Sequence, residues 1–137
     1  MSEVLYTATA TTMGGLEGRV QSEDHVIDFK TALPGSQSSE ESEATNPEQL
    51  FAAAYATCFD SALQIVADKE KVDFQSEVTA NVSLLEDGDG YKLAIDLKVK
   101  GDNIDKSKLE ELVQKANQIW PYAEAKRSSM DVNVQVN

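Results

Sequence analysis

Cysteine is nearly absent from this chain. Cys58 is the only one among 137 residues, which excludes any disulfide within a chain and any metal site built on several thiolates. Histidine is equally scarce, with His25 alone, so a zinc site of the usual kind is not expected. Serine-hydrolase chemistry would need His25 as its base, but that residue lies in the polar stretch Ser22-Glu23-Asp24-His25 and reads as an exposed turn histidine. Basic side chains are few as well: 12 Lys and Arg face 24 Asp and Glu, a formal net charge of −12. They are scattered, so nothing here neutralises a run of phosphates, and nucleic acid is excluded as a partner. No apolar run approaches the ~20 residues that cross a bilayer, and Met1-Ser2-Glu3 lacks the basic-then-apolar layout of a secretory signal. No membrane association is expected, and the expected compartment is the cytoplasm.

With 41% hydrophobic residues the chain can bury a core. Its length predicts a single domain over residues 1–137. A chain this short leaves much of its surface wet and gains from pairing with a second copy.

The segment Val4 to Thr12, rich in Thr, Tyr and Ala and ended by Met13-Gly14-Gly15, predicts a first strand. Gly18 to Ser22 and Val26 to Leu33 predict two more, separated by the acidic turn Glu23-Asp24, and the three form an antiparallel meander that Pro34-Gly35 ends. Residues 35–44 (GSQSSEESEA) carry no aromatic or β-branched side chain and read as a mobile loop. Asn46 as cap, Pro47 at the first helical position and Glu48 in the first turn announce a helix that runs to about Ala67 or Asp68. Residues 50–59 contain no charge, so this helix is expected to be buried all round. Val78, Ala80, Val82 and Leu84 alternate with polar residues, Asp87-Gly88-Asp89-Gly90 turns the chain, and Leu93, Ile95, Leu97 and Val99 repeat the alternation, which predicts a long hairpin. The acidic turn lacks the spacing and the distal glutamate of a calcium loop. A second helix starts at Asp105 and carries Leu109, Leu112, Val113, Ala116 and Ile119 on one face until Pro121 stops it. Met130 to Val136 alternates as a last strand. The order β-β-β-α-β-β-α-β is an α+β plan in which antiparallel sheet packs on a buried helix.

Cys58 is the residue to examine for covalent chemistry. The reactive form of a cysteine is the thiolate, which a neighbouring cation or helix end must hold at neutral pH. Glu48, Arg19 and Arg127 are the charged candidates around it, and Leu16, Phe51, Tyr55, Phe59, Trp120 and Tyr122 are candidate pocket walls. Taken alone, a cysteine in an apolar helix also reads as a small hydrophobe in the core. Glu48 and Cys58 are ten residues apart on one helix, about 15 Å along its axis. If they share a site, the carboxylate acts through a bridging arginine or on the thiol of a second chain.

These residues also carry a resemblance. Thr45-Asn46-Pro47-Glu48-Gln49-Leu50-Phe51-Ala52-Ala53, followed by Tyr55 and Cys58-Phe59, is similar to the most distinctive motif of the organic hydroperoxide resistance proteins, within the osmotically inducible protein (OsmC/Ohr) family. Leu5-Tyr6-Thr7-Ala8, Gly14-Gly15, the hairpin, Pro121-Tyr122, Arg127 and Asp131-Val132 follow in family order, so the resemblance spans nearly the whole chain. It implies an intertwined α+β homodimer with active sites at the subunit interface, and a cofactor-free, cysteine-based peroxidase in oxidative stress defence. It further implies that Cys58 attacks an organic hydroperoxide and becomes a sulfenic acid, that Glu48 partners an activating arginine, and that a second cysteine resolves the sulfenic acid before an external dithiol of the dihydrolipoyl type, or a small thiol, restores it. The chain departs from that pattern twice. Trp120 stands where the resolving cysteine is expected, before Pro121-Tyr122, and Leu16 stands where the arginine is expected, directly after Gly14-Gly15. Three readings remain open: a one-cysteine peroxidase served by an external thiol with Arg19 or Arg127 as its cation, a non-catalytic protein that binds an apolar ligand or hydroperoxide in the same pocket, and a core in which Cys58 and Trp120 simply pack.

Overall fold

The computed structural model describes residues 3–35, 43–120 and 130–137. Contacts group these into two compact units, one up to Pro47 and one from Glu48 to Asn137.

The first unit is the meander: β1 (Ala10–Met13), β2 (Arg19–Ser22) and β3 (Asp28–Lys30), paired antiparallel in that order. Its outer strands are shorter than the sequence predicts. β2 ends at Ser22, so residues before Thr9 have no strand of this unit beside them, and Val4, Leu5 and Tyr6 stand exposed. The stretch from Ser22 to Ile27 is held as a turn: the Asp24 carboxylate accepts from the Ser22 hydroxyl and the Val26 N–H, while Ser22 Oγ accepts from the Ile27 N–H. Those donors hold the Asp24 carboxyl below its ordinary range. His25 sits exposed in this turn with φ of 63°, as expected.

Between β1 and β2 a single 3-10 turn, Gly15–Glu17, reverses the chain. It depends on Gly18, whose backbone (φ −146°, ψ −127°) brings it so near β1 that a Cβ would lie 1.7 Å from the Met13 carbonyl oxygen. Gly18→Ala is therefore expected to cost about 1–3 kcal/mol. Amide hydrogen exchange is the check, with faster exchange in β1 and β2 and little change in the second unit; unaltered protection in both strands would contradict the close approach. The far end of the meander is tied to the following segment by a parallel bridge from Thr31 to Thr45, with N–H bonds from Ala32 to Thr45 and from Thr45 to Lys30.

The second unit opens with α1 (Pro47–Lys69), its Pro at the first helical position and Glu48 in the first turn, as the sequence predicts. The hairpin follows: β4 (Gln75–Asp87) and β5 (Gly90–Asp102) pair residue for residue from Gln75↔Asp102 to Asp87↔Gly90. Gly88, at φ 62°, forms the two-residue turn with Asp89, which is the hairpin reading of the acidic turn. Next come α2 (Lys106–Ile119) and β6 (Met130–Val136).

The direction of β6 corrects the expectation of an all-antiparallel sheet. It runs parallel to β5, from Leu93↔Met130 to Val99↔Val136, because a helix lies between the two strands and lets the chain return before it re-enters the sheet.

The core of this unit joins three elements. α1 contributes Tyr55, Phe59, Ala62, Leu63, Val66 and Ala67, β5 contributes Ile95, Leu97 and Val99, and α2 contributes Leu109, Leu112, Val113 and Ala116, with Trp120 beyond it. Burying each large apolar side chain is worth about 1.5–3 kcal/mol. At the far end of α1, Glu70 accepts from Lys108 and Lys115 of α2, and these ammonium groups hold its carboxyl below the ordinary range.

Two expectations about α1 are corrected. It is not buried all round: Phe51 is 45% and Ile65 51% exposed, and Ala53, Ala54, Thr57 and Ser61 are exposed with them. One sheet and one helix cover a single stripe of it. Its 23 residues are also long and apolar enough to cross a membrane, contrary to the sequence count, because Asp60 is the only charge between Leu50 and Ala67. Within the protein this apolar length packs its Tyr55–Ala67 face into the core.

Candidate active site

Cys58 lies at the start of the fourth turn of an unbroken helix, half-buried and packed on the core cluster beside Phe59. Desolvation pushes its thiol above the ordinary value, because burial penalises the charged form. Glu48 is half-buried in the first turn of the same helix. With no break in α1, the two lie about 15 Å apart along the axis, so this carboxylate does not meet this thiol within one chain.

The aromatic candidates come together. Trp120, 2% exposed, presents an edge to Phe59 at 5.1 Å and 88° and to Tyr55 at 5.9 Å and 67°. Such edge-to-face pairs add about 0.5–1.5 kcal/mol beyond area burial. The indole Nε1–H donates to Asn117 Oδ1 at 3.2 Å, and the Trp120 backbone N–H donates to the Ala116 carbonyl. Tyr55, Phe59 and Trp120 are thus buried in the core cluster on which Cys58 packs. Phe51, 6.1 Å from Tyr55 between centroids, continues the cluster to the surface.

The remaining candidates are placed differently. Leu16 sits partly exposed on the 3-10 turn of the first unit. Arg19 is exposed and engaged: its Nε lies 2.5 Å from Asp28 Oδ1, which also accepts from Gln21. These donors, Arg19 first, hold the Asp28 carboxyl below its usual range. Tyr122 and Arg127, like the 36–42 part of the serine-rich loop, lie outside the described residues.

Sequence reasoning missed two residues in the first unit. Asp28 occupies Arg19, and Thr31 clamps the loop that carries Leu16: its hydroxyl donates to the Gly15 carbonyl and accepts the Gly18 N–H. Nothing in the sequence around Thr31 signals that clamp, since Gly15 is sixteen residues away. Among the described residues no group of three or more His, Cys, Asp or Glu side chains is placed to hold a metal ion.

Comparison with known proteins agrees with this architecture. The OsmC-like protein family matches residues 39–135. The organic hydroperoxide resistance protein OhrA of Bacillus subtilis is 52% identical over 139 residues, 99% of each chain, and OhrB of the same organism is 40% identical over 134 residues, 96% of this chain and 98% of that one. The crystal structure of OhrB superposes with a TM-score of 0.90 at 39% identity, covering 98% of this chain and 100% of that one. With its α+β architecture, its motif around Cys58 and this whole-length similarity, the chain belongs to the OsmC/Ohr family of organic hydroperoxide resistance proteins.

Proposed function

We propose that the protein is a one-cysteine peroxidase that reduces organic, lipid-like hydroperoxides to alcohols at the expense of an external thiol, in defence against oxidative stress. The observation that carries this reading is Cys58 at the attacking position of the family motif, on an unbroken α1, in a chain whose relatives are organic hydroperoxide resistance proteins over their full length.

The Cys58 thiolate attacks one oxygen of the hydroperoxide. A sulfur–oxygen bond forms, the O–O bond breaks, and the leaving alkoxide takes up a proton to become the alcohol. Cys58 is thereby oxidised by two electrons to the sulfenic acid. An external thiol then attacks that sulfur and expels water, and a second thiol releases the mixed disulfide and returns Cys58 to its starting state. No second cysteine exists in the chain to take the first of these steps. The apolar stripe of α1 beside Cys58, with Phe51 and Ile65 at its surface, favours apolar peroxides.

Two features support a homodimer as the working form, which we place in the cytoplasm. An exposed apolar stripe along a central helix gains from being covered by a second copy, and Glu48, too far from the thiol of its own helix, is then free to serve the partner's site. Arg127 is the arginine to test as the activating cation, because Arg19 is committed to Asp28.

The pH dependence of turnover separates this reading from ligand binding alone. Only the thiolate attacks, and burial raises the Cys58 pKa, so the thiolate is scarcer at neutral pH than in a free thiol. Dithiothreitol- or dihydrolipoamide-dependent consumption of cumene hydroperoxide is therefore expected to climb with pH and to be still rising at the ordinary thiol value of about 8.5. A plateau already reached at neutral pH in the unaltered protein would show that a cation beside Cys58 holds its thiolate. No consumption at any pH would leave the protein as a binder.

A further inference from the structure

We propose that Asp87, at the tip of the β4–β5 hairpin, is a site of slow, enzyme-independent modification, in which its side chain closes on the Gly88 amide and reopens as an isoaspartyl link. This property is separate from the chemistry at Cys58.

The turn Asp87-Gly88-Asp89-Gly90 holds the only two Asp-Gly steps of the chain, and the chain has no Asn-Gly step. Glycine after aspartate matters because ring closure brings the next backbone nitrogen onto the carboxyl carbon, and a Cβ on that residue crowds the approach. Here all four residues are exposed, and even a Cβ added to Gly88 or Gly90 would meet nothing within 4 Å. Among the described residues no hydrogen bond or ion pair holds the Asp87 or Asp89 carboxyl, whereas Asp24 and Asp28 are each held by two donors.

The two Asp-Gly steps differ in the attacking amide. Asp87 and Gly90 are the last paired positions of the ladder, and the pair that flanks a two-residue turn exchanges its backbone hydrogen bonds, so the Gly90 N–H is engaged. Gly88 lies inside the turn with φ of 62°, outside the ladder, and its nitrogen is open to attack. The pairs behind Asp87 are weakly anchored: Leu84, Leu85 and Tyr91 are exposed, and the first buried side chain along β5 is Ile95, opposite Val82. The hairpin end therefore opens locally without disturbing the core, and each opening lets the Asp87 carboxyl swing onto the Gly88 nitrogen.

In the closing step a carbon–nitrogen bond forms between Gly88 N and Asp87 Cγ, a carbon–oxygen bond of the neutral carboxyl breaks, and the amide proton leaves with the hydroxyl as water. Water then reopens the cyclic imide. Attack at the side-chain carbonyl restores aspartate, attack at the main-chain carbonyl gives isoaspartate, and nothing is oxidised or reduced. The isoaspartyl link adds one methylene to the backbone and so breaks the pairing of Asp87 with Gly90.

The unaltered full chain and two variants, Asp87→Glu and Asp89→Glu, are held for weeks in neutral buffer at body temperature. Isoaspartate is read by methyl transfer from labelled S-adenosylmethionine with an isoaspartyl methyltransferase, and is located by electron-transfer fragmentation of the hairpin peptide. The unaltered chain is expected to accumulate isoaspartate at position 87 in several-fold excess over position 89. Asp87→Glu, whose longer side chain must close a larger ring, loses most of the methyl uptake, and Asp89→Glu keeps it. No isoaspartate in the unaltered chain, a majority at position 89, or uptake unchanged in Asp87→Glu would each overturn the inference.

Discussion

Cys58→Ser is expected to leave cumene and tert-butyl hydroperoxide unconsumed, with either dithiothreitol or dihydrolipoamide as reductant, at the background rate of the thiol itself. The loss is on the order of a thousandfold or more, the size expected when the group that forms the covalent intermediate is removed. The substitution exchanges sulfur for oxygen at a half-buried helical position, so the fold is retained and circular dichroism should match the unaltered protein. No other residue of the chain can take over, since no second thiol exists. A serine variant that still consumes peroxide in a thiol-dependent way would remove Cys58 from the chemistry.

Trp120→Ala is expected to destabilise the protein by about 3–5 kcal/mol, the range for deleting a large buried aromatic. That is a large share of the roughly 5–15 kcal/mol that holds a domain together. Trp120 is 2% exposed and fixed from three sides, by Tyr55, by Phe59 and through its indole N–H by Asn117. Removing it opens a cavity against α1 next to the helical turn that carries Cys58, so the thiol becomes more mobile as well as the fold weaker. Urea unfolding followed by circular dichroism measures the loss. A change below about 1 kcal/mol, the size of an ordinary surface substitution, would mean that Trp120 does not fill the core. The core therefore leans on Trp120.

Much of this was legible in the sequence, and the boundary is physical. Asn46-Pro47-Glu48 marks the start of α1, and the strict alternation on either side of Asp87-Gly88-Asp89-Gly90 marks the hairpin, because capping, proline geometry and the two-residue period act locally. The direction of β6 was not legible: alternation along Met130 to Val136 is the same whether the neighbouring strand runs parallel or antiparallel. The first strand is shorter than its composition suggests, since Val4 to Thr12 suits an extended chain but cannot show that β2 stops at Ser22. On α2, the spacing from Ala116 allows either Ile119 or Trp120 to continue the buried face. The extended backbone at Trp120, φ −74° and ψ 148°, accompanies a buried indole, while Ile119 is 52% exposed. The residue before a proline is pushed to that conformation.

For the site, Cys58 and Glu48 stood out because one motif holds both. The engagement of Arg19 did not, because its partner Asp28 is set by the register of β2 on β3, where Gln21 opposes Asp28 and Arg19 lies diagonal to it. The burial of Tyr55 and Phe59 follows from which stripe of an almost uniformly apolar helix meets the sheet, and a helix apolar on every side does not announce that choice.

We place the transfer of oxygen from an organic hydroperoxide at the Cys58 sulfur, and trapping the oxidised sulfur tests this most directly. Reduced protein is mixed with one equivalent of cumene hydroperoxide in the presence of dimedone, without thiol, and the Cys58 peptide is analysed by mass spectrometry. A dimedone adduct on Cys58, matched by an equal yield of cumyl alcohol, is expected. Unchanged Cys58 with the hydroperoxide intact would contradict it.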